Sequence, residues 1–191
     1  MRLFMVRHGQ STANLAKTYA GQSDAPLTEQ GRQEAMQIRP ILENIPFDKV
    51  YSSDLIRAID TQKLALPGKE GIRLPVLREI DVGSVEGMYI PQVQAEHGEK
   101  FRQGLAYACF GGESTQDTRD RASAFLRLLE EDPCENVIAF SHNGYISSLL
   151  EVVLKTPVDR AAVRSANCAI HVFDFDGRIW RLTAWNYMKA L

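Results

Sequence analysis

Short strand-like runs alternate along this chain with segments whose apolar residues recur at helical spacing, and that alternation limits its architecture more than any other feature. Leu3 to Val6 is a buried-strand run, Val50-Tyr51-Ser52 is a second, and Val137 to Phe140 is a third. Between the first two, Ala35, Ile38, Ile41, Leu42 and Ile45 repeat at helical spacing behind Thr28, which offers an N-cap. Pro40 falls inside that pattern and predicts a kink or a break. Asp54 is placed to cap a helix running to about Leu66. Ser114 and Asp117 match a capping box ahead of Ala122, Phe125, Leu126 and Leu129. A further helix is expected from about Tyr145 to Leu154, and two late runs, 169–175 and 179–184, flank the hairpin signal Asp176-Gly177. The pattern predicts an α/β fold, layered around a mostly parallel sheet.

Composition narrows the function classes. A length of 191 residues with 45% hydrophobic content suits one domain spanning 1–191. The formal charge of −2 excludes a strongly basic nucleic-acid binder and an acidic tail protein. No apolar run approaches the roughly 18 residues of a membrane span. The start meets Arg7 after only four apolar residues, unlike a secretory signal. Cys109, Cys134 and Cys168 are odd in number and widely spaced, so a disulfide framework is not expected and a reducing cytoplasm fits best.

In parallel sheets ligands bind beyond the carboxyl ends of strands, so the residues just after each run matter most. Two ends are alike. Phe4-Met5-Val6-Arg7-His8-Gly9 and Ile138-Ala139-Phe140-Ser141-His142-Asn143-Gly144 each deliver a histidine with glycine close behind. A single such histidine is more often structural. Two at equivalent ends, among only four in the chain, favour a site. The second run is followed by Arg57 in the first turn of its helix. Taken alone it reads as a solvated helix arginine; beside Arg7 it reads as half of an anion clamp, because guanidinium groups bind phosphate oxygens in bidentate fashion. His97 reads as a surface residue and His171 as a packed or hydrogen-bonded strand residue.

Six segments in order resemble the histidine phosphatase superfamily, also called the phosphoglycerate mutase-like family. They are Met5-Val6-Arg7-His8-Gly9-Gln10-Ser11; Asp24-Ala25-Pro26-Leu27-Thr28 with Gly31; Ser52-Ser53-Asp54-Leu55-Ile56-Arg57-Ala58; Leu77-Arg78-Glu79-Ile80-Asp81-Val82-Gly83 on to Glu86-Gly87; Gly112-Glu113-Ser114; and Ser141-His142-Asn143-Gly144. The resemblance implies a three-layer α/β/α sandwich with a small helical cap inserted at about 88–115. It implies that His8 is the nucleophile and carries a transient phosphohistidine. Arg7, Arg57 and His142 would surround the phosphoryl oxygens, Asn14 would add a hydrogen bond, and Glu79 would give the leaving oxygen its proton. The expected reaction is hydrolysis of a small phosphorylated substrate, with no metal and no cofactor, because cations around the equatorial oxygens supply the charge stabilisation that phosphoryl transfer needs.

Composition alone does not single out Glu79 from Asp81 and Glu86; the motif position selects it. Glu113 is expected to cap or orient. Ala13, Ala20 and Val85 depart from the common family pattern, which bears on pocket shape rather than chemistry. Mutases of this type carry a longer insertion, and the 63 positions from Glu79 to His142 match the shorter phosphatase arrangement. Within it, Tyr89, Phe101, Arg102, Tyr107 and Phe110 are either leaving-group contacts or the core of the cap. Three rival readings remain: phosphoglycerate mutase activity, a non-catalytic module for phosphorylated ligands, and a serine hydrolase. The last leaves both arginines without a purpose, and its two near-elbows around Ser11 and Ser23 end in alanine. An imidazole of ordinary pKa predicts a fall in kcat/KM on the acid side of about pH 5 to 8.

Overall fold

A computed structural model describes residues 1–102, 107–132, 134–160 and 162–187. The chain runs β1 (Arg2–Arg7), α1 (Thr12–Ala16), α2 (Glu29–Gln37), α3 (Arg39–Glu43), β2 (Lys49–Ser52), α4 (Ile56–Ala65), β3 (Ile72–Arg73), α5 (Ile90–Arg102), α6 (Thr115–Glu130), β4 (Asn136–Ser141), α7 (Asn143–Leu154), β5 (Ile170–Phe175) and β6 (Trp180–Tyr187). These strands form one sheet in the order β3-β2-β4-β1-β5-β6. The four on one side are parallel, and β5 and β6 close the other side antiparallel.

Side chains along the central strands point alternately to the two faces. Phe4, Val6, Ile138 and Phe140 enter one core with Ala35, Ile38, Leu42, Ala58 and Ala65 of α2, α3 and α4. Leu3, Met5, Val137 and Ala139 enter a second core with Phe125, Leu126 and Leu129 of α6 and Ile146, Leu149 and Leu150 of α7. Both faces are covered, which is why β1 and β4 read as unbroken apolar runs. The result is the expected three-layer sandwich around a mixed sheet.

Local signals act largely as read. Thr28 caps α2, accepting from the Gly31 N–H at 3.0 Å. Pro40 lies in the first turn of α3, where its missing N–H costs nothing, and the helical pattern splits there. Ser114 and Asp117 form the capping box of α6. One expectation fails. The N-cap of α4 is Leu55 with no side-chain cap bond, and Asp54 instead pairs with Arg78, with oxygens 2.7 and 2.6 Å from its guanidinium nitrogens. A bidentate arginine outcompetes two backbone amides for this carboxylate.

Residues 83–102 and 107–113 lie beside the sandwich. Val82, Val85 and Val93 are buried there, with Tyr19, Tyr107 and Phe110 packed around them. The start of α5 is tied to the chain after α1 by Ile90 N–H to Lys17 O at 2.8 Å and Tyr19 N–H to Met88 O at 3.0 Å.

Candidate active site

The carboxyl ends of β1, β4 and β2 lie side by side, because β4 enters the sheet between the two earlier strands. Arg7 is in register with Ser141, and the His8 amide donates to the Ser141 carbonyl at 3.0 Å. The two strand-end histidines are therefore neighbours, with ring centroids 5.1 Å apart. Both open onto or back a cleft of about 480 Å3, whose lining includes Arg7, His8, Asn14, Arg57 and Glu79.

His8 is 3% exposed, and its Nδ1 lies 2.7 Å from the Gly9 carbonyl. A carbonyl only accepts, so Nδ1 carries the proton and Nε2 keeps its lone pair. Burial, and then the positive charges of Arg57 and Arg7, hold the pKa of His8 well below the ordinary imidazole value. The imidazole is neutral at pH 7. Its acid limb consequently lies below the range that an ordinary imidazole predicts. Gly9 is forced at its position: a Cβ there would lie 2.4 Å from the Gly31 carbonyl oxygen.

His142 is fully buried. The Arg57 Nε–H points at its Nδ1 at 3.2 Å, and its Nε2 is 2.8 Å from Ser53 Oγ. A guanidinium only donates, so Nδ1 accepts and Nε2 carries the proton toward Ser53. Burial, Arg57 and His8 keep the pKa of His142 far down as well.

Arg57 is 1% exposed. Its terminal nitrogens donate to the carbonyls of Ser23 at 2.8 Å and Gly21 at 2.7 Å. With Nε on His142, three of its five N–H groups are engaged and two remain for a ligand. The Gly21–Ser23 turn that holds it is itself pinned by Glu86, whose Oε1 accepts from the Ser23 N–H at 2.7 Å. Arg7 donates to the Ser165 carbonyl, and its buried Nε has no hydrogen-bond partner. Asn14 uses Oδ1 to accept from Ser11 N–H at 3.1 Å and from Asn167 Nδ2 at 3.2 Å, which leaves its NH2 end for the cleft.

The three crowded acids have three different settings. Glu79 Oε1 accepts from the amides of Ile80 at 2.9 Å and Tyr145 at 3.1 Å, and Oε2 from Gly144 at 3.2 Å. It thus occupies the first turn of α7, where free amides and the helix dipole favour an acceptor. Asp81 caps a local turn by accepting from Gly83 N–H at 2.9 Å. Glu86 anchors the Arg57 turn. Gly144 is required for the closeness of Glu79, since a Cβ there would lie 2.5 Å from Glu79 Oε1.

The orienting group behind Glu79 escaped the sequence reading. Arg121 of α6 donates to the carbonyls of Val76 at 2.8 Å, Arg78 at 3.0 Å and Glu79 at 3.3 Å. Glu113 holds Arg121 through both carboxylate oxygens, at 2.6 and 2.8 Å, and also accepts from the Asp81 amide at 2.8 Å. On the polar face of an amphipathic helix, Arg121 carries no sequence mark that separates it from a solvated arginine. Ser53, Ser165 and Asn167 were missed for a similar reason: each acts through one local contact.

Of the cap residues singled out in the sequence, Tyr107 lines the cleft and also packs in the cap cluster, while Phe110 only packs. Tyr89 is 46% exposed and lies away from the cleft lining. The side chains of Phe101 and Arg102 lie outside the described residues. His97 is half-buried against Phe110, with centroids 5.2 Å apart. His171 is fully buried on β5 and hydrogen-bonded to Ser165 Oγ at 2.7 Å.

This arrangement has the fold and parts of a phosphoryl-transfer enzyme built on paired histidines. The sequence matches the histidine phosphatase superfamily (branch 1) over residues 3–188, and the chain belongs to that family. It is 33% identical to an adenosylcobalamin/alpha-ribazole phosphatase from Salmonella typhimurium, over 82% of this chain and 81% of that one. It is 34% identical to a 2,3-bisphosphoglycerate-dependent phosphoglycerate mutase 2 from Gloeobacter violaceus, over 78% and 73%. Among solved structures, a mycobacterial glucosyl-3-phosphoglycerate phosphatase superposes with a TM-score of 0.84 at 31% identity, covering 97% of this chain and 98% of that one. A phosphoserine phosphatase from Entamoeba histolytica gives 0.89 at 25% identity, covering 98% of each. No helix among the described residues is long and apolar enough to cross a membrane.

Proposed function

We propose that this protein is a phosphomonoesterase that hydrolyses a small phosphorylated metabolite through a phosphohistidine on His8. The observation that carries the reading is the setting of His8: one ring nitrogen is fixed on the Gly9 carbonyl, the other is free, and the ring is kept neutral beside two arginines. The Nε2 lone pair attacks phosphorus while the bond from phosphorus to the leaving oxygen breaks. Glu79, protonated for this step, passes its proton to that oxygen. Water then attacks the phosphohistidine, gives a proton to Glu79, and the Nε2–phosphorus bond breaks to release phosphate and restore both groups. Splitting the transfer in two replaces one difficult displacement by two easier ones.

Arg7 and Arg57 present their unengaged N–H groups to the equatorial oxygens, where negative charge is greatest. The Asn14 NH2 adds a neutral donor. His142 acts mainly through Arg57 in the resting site, because its own two ring nitrogens are engaged. The segment around α5 and Tyr107 covers the leaving group as a small cap within a single domain. No metal enters this scheme.

The test is hydrolysis of p-nitrophenyl phosphate in excess EDTA, read as inorganic phosphate. Activity is expected to survive EDTA and to fall at least about 1,000-fold in His8→Ala, as loss of a covalent nucleophile does in other enzymes. Full activity in His8→Ala refutes the proposal. With 3-phosphoglycerate as substrate, release of phosphate rather than isomerised phosphoglycerate separates this reading from a mutase.

A further inference from the structure

We infer that Arg160 and Arg164, on the connection between α7 and β5, form a second anion subsite in this cleft. The substrate is then a phosphomonoester whose alcohol carries another oxyanion, a carboxylate or a further phosphate. The inference rests on the phosphatase reading above and specifies the leaving group.

Both arginines line the cleft together with Arg7 and Arg57, while Glu79 is the one carboxylate lining it among the described residues. The phosphoryl group and Glu79 account for Arg7 and Arg57, which have fixed anchors and free N–H groups at the strand ends. Arg160 and Arg164 have no such partner there. An exposed arginine normally needs no explanation, but Arg160 is held in place. Its NH2 donates to Ser148 Oγ at 2.7 Å, and its Nε lies 3.5 Å from Glu151 Oε1. Glu151 is only 4% exposed and is shared with Arg119, whose Nε is 2.8 Å from Oε2. One buried carboxylate between two guanidiniums leaves the trio with a net positive charge. Arg164 is exposed, and its guanidinium has no partner among the described residues. Two cations thus face the cleft beyond those that the phosphoryl group needs, one preset and one free to adapt. Planar guanidiniums match carboxylate and phosphate oxygens in bidentate fashion.

The two sources of that oxyanion are separated by two matched pairs. 3-Phosphoglycerate and glycerol 3-phosphate differ by carboxylate against hydroxymethyl. Fructose 1,6-bisphosphate and fructose 6-phosphate differ by a second phosphate. The wild-type protein is expected to favour the anionic member of one pair at least tenfold in kcat/KM. A preference in the first pair identifies a carboxylate subsite, and one in the second a phosphate subsite. Arg164→Ala, an exposed substitution that leaves packing alone, is expected to reduce that preference about 10- to 100-fold, the usual worth of a charge-assisted hydrogen bond. Arg164→Lys, which keeps the charge, is expected to retain most of it. Absence of preference in both pairs, or an equal loss on both members of a pair in Arg164→Ala, overturns the subsite while leaving the phosphatase reading intact. Failure of the wild type to hydrolyse any of the four compounds or p-nitrophenyl phosphate overturns the phosphatase reading itself, and the subsite with it.

Discussion

At the scale of single residues, the site is made from groups that the protein holds by some of their polar atoms while the others face the ligand. His8 offers one lone pair, Arg57 two N–H groups and Asn14 one NH2, while their remaining polar atoms are satisfied by the protein. Such preorganisation is what makes dipoles and charges effective against a developing transition state. Glu79 depends on closeness to the first turn of α7, and Gly144 is the residue that permits it. Gly144→Ala would put a methyl group 2.5 Å from Glu79 Oε1 and 2.8 Å from Ile80 Cδ1, so the carboxylate must move. We expect kcat to fall about 100-fold, the cost of a misplacement of about 1 Å, with little change in thermal stability. Steady-state kinetics with a calorimetric Tm checks this; unchanged kcat would mean that Glu79 tolerates displacement. The histidines, both arginines and Glu79 were legible because strand ends and motif order point to them. The carbonyls of Gly21 and Ser23 that hold Arg57 were not, since backbone atoms of a distant turn leave no composition signal.

At the scale of elements, the phosphate end of the cleft is assembled by close backbone contact between the loop after β1 and the start of α2. Gly9 and Gly31 face each other there, and a Cβ on Gly31 would lie 2.0 Å from the Gln10 carbonyl oxygen. Backbone cannot step aside as a long side chain can. Gly31→Ala is therefore expected to push α2 away from the loop that carries His8, destabilising the protein by about 1 to 3 kcal/mol, the usual cost of overpacking. Urea unfolding with an unchanged m-value measures it, and a wild-type midpoint would show that the contact is slack. Element type and capping were readable locally: Thr28, Pro40, Ser114 and Asp117 act through neighbours in sequence. Asp54 was misread because its partner, Arg78, arrives from a later segment. Strand order was unreadable for the same reason. That β4 lies between β1 and β2 is a pairing of segments far apart in sequence, and no local pattern records it.

At the scale of the whole molecule, a near-neutral chain concentrates cations in one cleft and keeps three buried histidines uncharged. His8, His142 and His171 all titrate below the ordinary imidazole value, burial being the largest cause in each, and His171 is lowered to about 3. In the unfolded chain these rings take up protons as the pH drops through about 6.5. Between that value and the depressed folded pKa, the unfolded state binds more protons, so stability rises with pH there. The contribution is complete from about one unit above pH 6.5 and is lost progressively as the pH falls toward the folded values. For His171 the slope reaches about 1.4 kcal/mol per pH unit, and His8 and His142 add to it in the same direction. Urea midpoints taken at pH 8.5, 7.5, 5.5 and 4.5 should be nearly level between the first two and fall steadily below. His171→Gln, which removes one titrating ring, should make that fall shallower by about one proton even if its stability at pH 7.5 is lower. A level profile down to pH 4.5, or the same slope with and without His171, would show that the rings are not held neutral. The same burial that keeps the His8 lone pair available therefore weakens the fold as the pH falls.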